Sequence, residues 1–144
     1  MTAITPRQDG KNTGRHSFYL DGVLRVQGEL LEGASAADDP FPSLAAYATT
    51  HGRFFYPDGR LMGLTLRKNY NGIMALWRED GSLLMTRQKA RVIWGKRIFW
   101  DANGNRIRKG TPAAEIAAQE AQALVDQTED IMKAYKRQRV CLDK

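Results

Sequence analysis

Short stretches in which apolar and polar residues alternate fill the middle of the chain, and Asp-Gly or Asn-Gly pairs separate them. Met62, Leu64 and Leu66 alternate with Gly63 and Thr65, and Ile73, Ala75 and Trp77 alternate with Met74 and Leu76. A period of two is the signature of a strand. The second stretch is apolar on both parities, which predicts a strand covered on both faces. An earlier copy follows Asp21-Gly22, where Leu24, Val26, Gly28 and Leu30 share one parity. Asp58-Gly59, Asn71-Gly72, Asp80-Gly81 and Asn103-Gly104 read as hairpin turns of type I′, which needs positive φ at both central residues. Trp94-Gly95 is a weaker member of the set. The glycine spacings of 13, 9, 14 and 9 residues alternate long with short strands, giving an antiparallel meander with a unit of 22 or 23 residues. That period belongs to repeat architectures.

Three segments depart from this pattern. Residues 1–16 are polar and predict a flexible tail. Residues 34–52 read as an insertion made of a loop and a short helix, capped by Ser43 and ended by Gly52. From Thr111, an N-cap followed by Pro112 at the first helical position, a segment without Gly or Pro predicts a helix over 111–140. Ala117, Ala121, Leu124, Thr128, Ile131 and Tyr135 form its stripe. Glu115 and Glu120 stand early in it, and Lys133, Lys136, Arg137 and Arg139 late, matching the helix dipole. The stripe predicts packing across the sheet, with a two-stranded coiled coil, and so a homodimer through this helix, as the alternative. The fold class expected is α+β: a twisted meander of repeated β-hairpins over 17–110, followed by a long C-terminal helix of the same domain.

The repeated unit resembles the MORN (membrane occupation and recognition nexus) repeat, and more closely its bacterial variant found in toxin–antitoxin-associated proteins. In that variant an aromatic pair, a Pro, an Asn/Asp-Gly turn and a Lys/Arg-Leu are followed by Tyr-x-Asn-Gly and a Trp. "FFYPDGRL" at residues 54–61 and "YNGIMALW" at 70–77 keep that order. The likeness covers residues 54–109, and weakly 17–33. The later copies depart from it, with Trp94-Gly95 where Tyr-x-Asn-Gly would stand, and the Gly-x-Gly doublets of the eukaryotic repeat are missing. The resemblance implies a run of β-hairpins and a binding role towards proteins or anionic head groups, without a reaction.

Composition adds a constraint on chemistry. The chain of 144 residues can bury one core, and no apolar run reaches the ~20 residues that span a bilayer. The N-terminus lacks the apolar stretch of a secretory signal, so a cytoplasmic setting is expected. His16, His51 and the single Cys141 are scattered too widely for a zinc site or a nucleophile with its base. No phosphate-loop or dinucleotide fingerprint is present, and Asp38-Asp39 read as solvated loop carboxylates. The expectation is a protein without catalytic residues, metal or cofactor.

Charge supplies the functional lead. The net charge is +6, yet residues 60–109 alone hold twelve basic and three acidic side chains, a local +9. Within them Arg87, Lys89 and Arg91 share one strand parity, about 6.6 Å apart. Like charges in a row repel, so a polyanionic partner would explain them, although edge strands also carry Lys and Arg to block aggregation. Arg78, Lys96 and Arg97 lie near neighbouring turns, with Trp77, Trp94 and Trp100 among them. Tryptophans at hairpin ends also serve as packing residues. Interleaved with cations, they suit an acidic protein surface or single-stranded nucleic acid. The binding residues expected are Arg78, Arg87, Lys89, Arg91, Trp94, Lys96, Arg97 and Trp100. The function expected is a small binding protein of the inhibitor, antitoxin or immunity kind that docks an acidic protein partner. Nucleic-acid binding through the same face is the alternative, and no membrane partner is expected because the helix is roughly neutral.

Overall fold

Alternation and turn residues do build a meander. The computed structural model describes residues 2–4, 7–8, 11–12, 15–30, 50–68, 71–90 and 93–142. Its strands are β1 (Thr2–Ile4), β2 (Arg7–Gln8), β3 (Lys11–Asn12), β4 (Arg15–Leu20), β5 (Val23–Leu30), β6 (Thr50–Phe55), β7 (Leu61–Lys68), β8 (Asn71–Trp77), β9 (Leu83–Ala90), β10 (Ile93–Trp94) and β11 (Ile98–Phe99). From β4 to β10 each strand lies antiparallel beside the next in chain order. One helix, α1 (Pro112–Leu142), follows the sheet, so the chain is α+β. No helix among the described residues is long and apolar enough to cross a membrane.

The first half of the chain corrects two expectations. The segment read as a tail is strand-bearing, because β1 pairs with β4 from Thr2–Tyr19 to Ile4–Ser17. β2 and β3 form a ribbon of their own. His16 belongs to β4 and is fully buried. The edge of β4 offers a row of backbone groups, and an added strand satisfies them. The insertion also ends earlier than expected, at the start of β6. Leu30 pairs with Thr50 and Gly28 with Gly52, so Gly52 is a ladder residue rather than a helix terminus. Residues 31–49, with the predicted short helix, its cap Ser43 and Asp38-Asp39, lie outside the described residues.

The turns divide into two kinds. Asp21-Gly22 has positive φ at both residues, 53° and 79°, and closes the two-residue loop that the sequence predicts. At Asp58-Gly59, Asp80-Gly81 and Asn103-Gly104 only the glycine is left-handed, with φ of 92°, 90° and 85°. There the Gly59 N–H donates to Tyr56 O at 2.9 Å and the Tyr56 N–H to Arg60 O at 2.8 Å. The same pair of bonds recurs at Arg78–Ser82 and at Asp101–Asn105. This is a three-residue loop in which the glycine forms a bulge. Asn71-Gly72 and Trp94-Gly95 are not turns. Asn71 and Gly72 pair with Lys68 and Arg67, and Trp94 pairs with Lys89.

A second irregularity follows the first three turns and decides which residues form the core. Pairing shifts by one residue at Phe18/Tyr19, Phe54/Phe55 and Leu76/Trp77. One extra residue therefore stands on each returning strand: Arg25, Met62 and Leu84. Beyond these bulges the row Phe18, Val26, Phe54, Gly63, Leu76, Met85 and Phe99 runs across seven strands, since directly paired residues share a face. Phe18 meets Tyr135 of α1 edge to face, with ring centroids 5.3 Å apart, so this row faces the helix. Leu24, Leu64 and Leu66 are thereby left on the opposite face, with Leu66 and Ile73 each 38% exposed. Simple parity had grouped Leu24 with Val26 and Met62 with Leu64. Met62 and Leu84, the bulge residues, are fully buried in the core.

The helix forms as predicted. The Ala114 N–H donates to Thr111 Oγ1 at 3.2 Å and the Glu115 N–H to Thr111 O at 3.2 Å. All six stripe residues are buried with the sheet's core row. At 1.5 Å per residue the stripe from Ala117 to Tyr135 is about 27 Å long. Five inter-strand spacings from β4 to β9 amount to about 24 Å. The stripe is as long as the sheet is wide, and the helix spends it in cis.

Bonds from unit to unit stitch the meander. Phe55, Trp77 and Trp100 occupy equivalent positions, and the carbonyl of each accepts from a side chain of the preceding unit. Arg25 Nε donates to Phe55 O at 2.9 Å, Tyr56 Oη to Trp77 O at 2.7 Å, and Arg78 Nη2 to Trp100 O at 2.7 Å.

Candidate functional site

The last unit carries one residue more than the one before it, and a cleft opens there. β10 is the counterpart of the start of β8, with Ala90–Ile93 pairing as Lys68–Asn71 does. β11 is the counterpart of the end of β8, since Met85 pairs with both Leu76 and Phe99. Between them β8 has Ile73, Met74 and Ala75, whereas the last unit has Gly95, Lys96, Arg97 and Ile98 to match. The ladder resumes at both ends, so the surplus must leave the sheet. The Gly95 N–H still donates to Gln88 O at 2.7 Å. A Cβ there would stand 3.1 Å from that same carbonyl oxygen, which favours glycine. Lys96 and Arg97 bulge out and are exposed.

The cleft, about 490 Å³, is bounded by this bulge, by the chain leading into α1 and by the first turn of the helix. Arg87, Gly95, Lys96 and Arg97 form one wall, Phe99, Ile107 and Ala114 the floor, and Arg106 and Lys109 the far side. Phe99 and Ile107 pack from below against the core. Arg106 is bridged to Trp100, a residue of the opposite face, so the charge aimed at the cleft comes from Arg87, Lys96, Arg97 and Lys109. Among the described residues the lining includes no carboxylate.

Two of these cations are fixed in place. Arg87 shares strand parity with Met85 and so lies on the helix side of β9. Its Nε donates to Gly95 O at 2.8 Å, tying it to the bulge. Partial burial, and then the charge of Arg97, hold its guanidinium below the ordinary arginine value. Arg97 stacks over the Phe99 ring, 5.4 Å from the centroid. A stacked guanidinium keeps its N–H edges free for a planar oxyanion.

The residues expected from sequence are dispersed by the fold. Arg87, Lys96 and Arg97 come together at the cleft. Arg78 does not join them, because it is a structural clamp. It donates to Leu83 O at 3.0 Å, Ser82 Oγ at 3.3 Å and Trp100 O, and pairs with Glu120 of α1 at 3.2 Å. Trp100 is on the other face, where its Nε1 donates to Thr86 Oγ1 at 3.2 Å. Thr86 precedes Arg87 in the strand, and neighbours in a strand point to opposite faces. Trp77, next to core-facing Leu76, lies on that far face too. Trp77 and Trp100 are therefore not interleaved with the cleft cations as expected. Lys89 lies on β9 and Trp94 pairs with it on β10, described as backbone only, while Arg91 lies outside the described residues. Phe99 and Lys109 were missed. The spacing of Arg97 and Phe99, two apart, could have signalled the stacked pair, but Lys109 reaches the cleft only because the last hairpin folds back beside β9.

Compared with protein-family models, with curated proteins and with solved structures, the chain matches none.

Proposed function

We propose that the chain is a small non-catalytic binding protein, a hairpin-repeat module of the MORN type that docks an acidic protein partner at its basic cleft. An inhibitor, antitoxin or immunity role in the cytoplasm fits such a module. The observation that carries this reading is the cleft itself: four cations converge on a concave site whose lining holds no carboxylate among the described residues. Gathering like charges costs the free fold, and an acidic partner recovers that cost while steering its approach. The placement of the aromatics favours a protein over single-stranded nucleic acid. Trp77 and Trp100 lie on the face away from the helix, and Arg97 already covers one face of Phe99, so among the described side chains no open stacking platform adjoins the cations.

Retention on immobilised polyglutamate and on single- and double-stranded DNA, across a salt series, tests the reading. Polyglutamate should retain the protein at low salt, and the Arg97→Gln/Lys109→Gln variant should elute earlier. Retention on DNA that falls steeply with salt, and is lost in the same variant, would replace this reading with nucleic-acid binding.

A further inference from the structure

The cleft is amphipathic, and that narrows what can fill it. A surface that only gathered negative charge would need cations alone. Here Phe99, Ile107 and Ala114 make an apolar floor beneath Arg87, Arg97 and Lys109. The volume of about 490 Å³ is that of a site enclosing a few groups rather than a flat patch. Both arginines are held before any partner arrives, one by Gly95 O and the other by the Phe99 ring. A carboxylate meeting them need not order them first. The part of the floor that Arg97 leaves uncovered gains only if an apolar side chain covers it, and a stretch of carboxylates alone would leave it wet.

Resting on the docking role given above, we propose that the cleft recognises an acidic peptide segment with a central apolar anchor. The anchor side chain lies on the Phe99–Ile107–Ala114 floor, and flanking carboxylates meet Arg87 and Arg97 on one side and Lys109 on the other. Charge brings the segment in, and the anchor supplies the selectivity among acidic sequences.

Fluorescence anisotropy with the full chain at low salt tests this, using labelled Asp-Glu-Leu-Glu-Asp, its Leu→Ser counterpart and an oligothymidylate. The leucine peptide should bind, and the serine peptide about tenfold more weakly, the scale of one apolar side chain's burial. Ala114→Met, which fills the floor without touching charge, should weaken the leucine peptide and leave the serine peptide unchanged. Arg97→Gln/Lys109→Gln should weaken both, with circular dichroism spectra and melting midpoints confirming that each variant is folded. Equal affinity for the two peptides, or the absence of binding by either, overturns the anchor. In the first case acidic docking stands without it. If both peptides bind the Arg97→Gln/Lys109→Gln variant as tightly as the unaltered chain, or the oligothymidylate outbinds them and is lost in that variant, the docking role falls as well.

Discussion

Tyr56 shows how a single position in the repeated unit acts at a distance. It begins the three-residue turn, it is only 3% exposed, and its hydroxyl donates across to Trp77 O of the next unit. Burial pushes its phenol up to about 12, with Glu79, Asp58 and Asp80 adding to the rise and Arg78 opposing it. The unfolded chain would lose that proton near pH 10. Between about 10 and 12 the folded state therefore binds more protons than the unfolded one. The stability this contributes is whole below pH 10 and falls as pH rises towards 12. Tyr56→Phe should cost about 1 kcal/mol at neutral pH by urea unfolding. It should also remove the part of the alkaline stability loss that belongs to this group. An unchanged alkaline slope would show that the Tyr56 phenol ionises alike in the folded and unfolded chains. Arg25 and Arg78 hold the equivalent carbonyls, which is why Arg78, nominated by its charge, works for the fold. Sequence shows the charge of an arginine but not the carbonyl it meets.

At the scale of the element, the helix and the strands were legible to different degrees. Every stripe residue of α1 is buried, because a helix with intact 3.6-residue periodicity keeps its face in register along its length. Ile131→Ala should therefore destabilise the fold by about 2–4 kcal/mol in chemical denaturation. The melting midpoint should not change with protein concentration, since the stripe packs within the chain; a midpoint rising with concentration would point to assembly through the helix. Strands were harder to read. One bulge residue per hairpin exchanges the faces, so counting parity through Arg25 or Met62 puts Leu24 or Leu64 on the wrong side. Three Asp-Gly pairs and Asn103-Gly104 marked turns correctly, yet the type I′ geometry applies to Asp21-Gly22 alone. At Asp58 and Asp80 the carboxylate also accepts from a backbone N–H two residues on, at 2.9 and 2.8 Å, which supports a longer loop.

Across the whole molecule, the uneven charge of the sequence becomes a local field at one end of the sheet. Arg97 stands close enough for its charge to weigh on Arg87. Added salt should therefore raise the melting midpoint of the free protein from low to moderate ionic strength, and Arg97→Gln should flatten that rise. An equal response in the variant would place the repulsion elsewhere. Sequence by itself determined the α+β class, the unit length, the places of the main turns, the buried face of the helix and the segment that carries the charge. All of these depend on local periodicity or on φ angles that glycine and its neighbours set over a few residues. The tertiary structure alone decided which strand face is core, that the N-terminal segment joins the sheet, that Arg78 is a clamp, and that Arg87, Lys96, Arg97 and Lys109 converge over Phe99. Those depend on pairing register, where one surplus residue changes the direction of every side chain beyond it. The turn glycines record that residue as a difference between 22, from Gly59 to Gly81, and 23, from Gly81 to Gly104. Only the ladder, resuming on both sides of Gly95 and Arg97, shows that it leaves the sheet and opens the cleft.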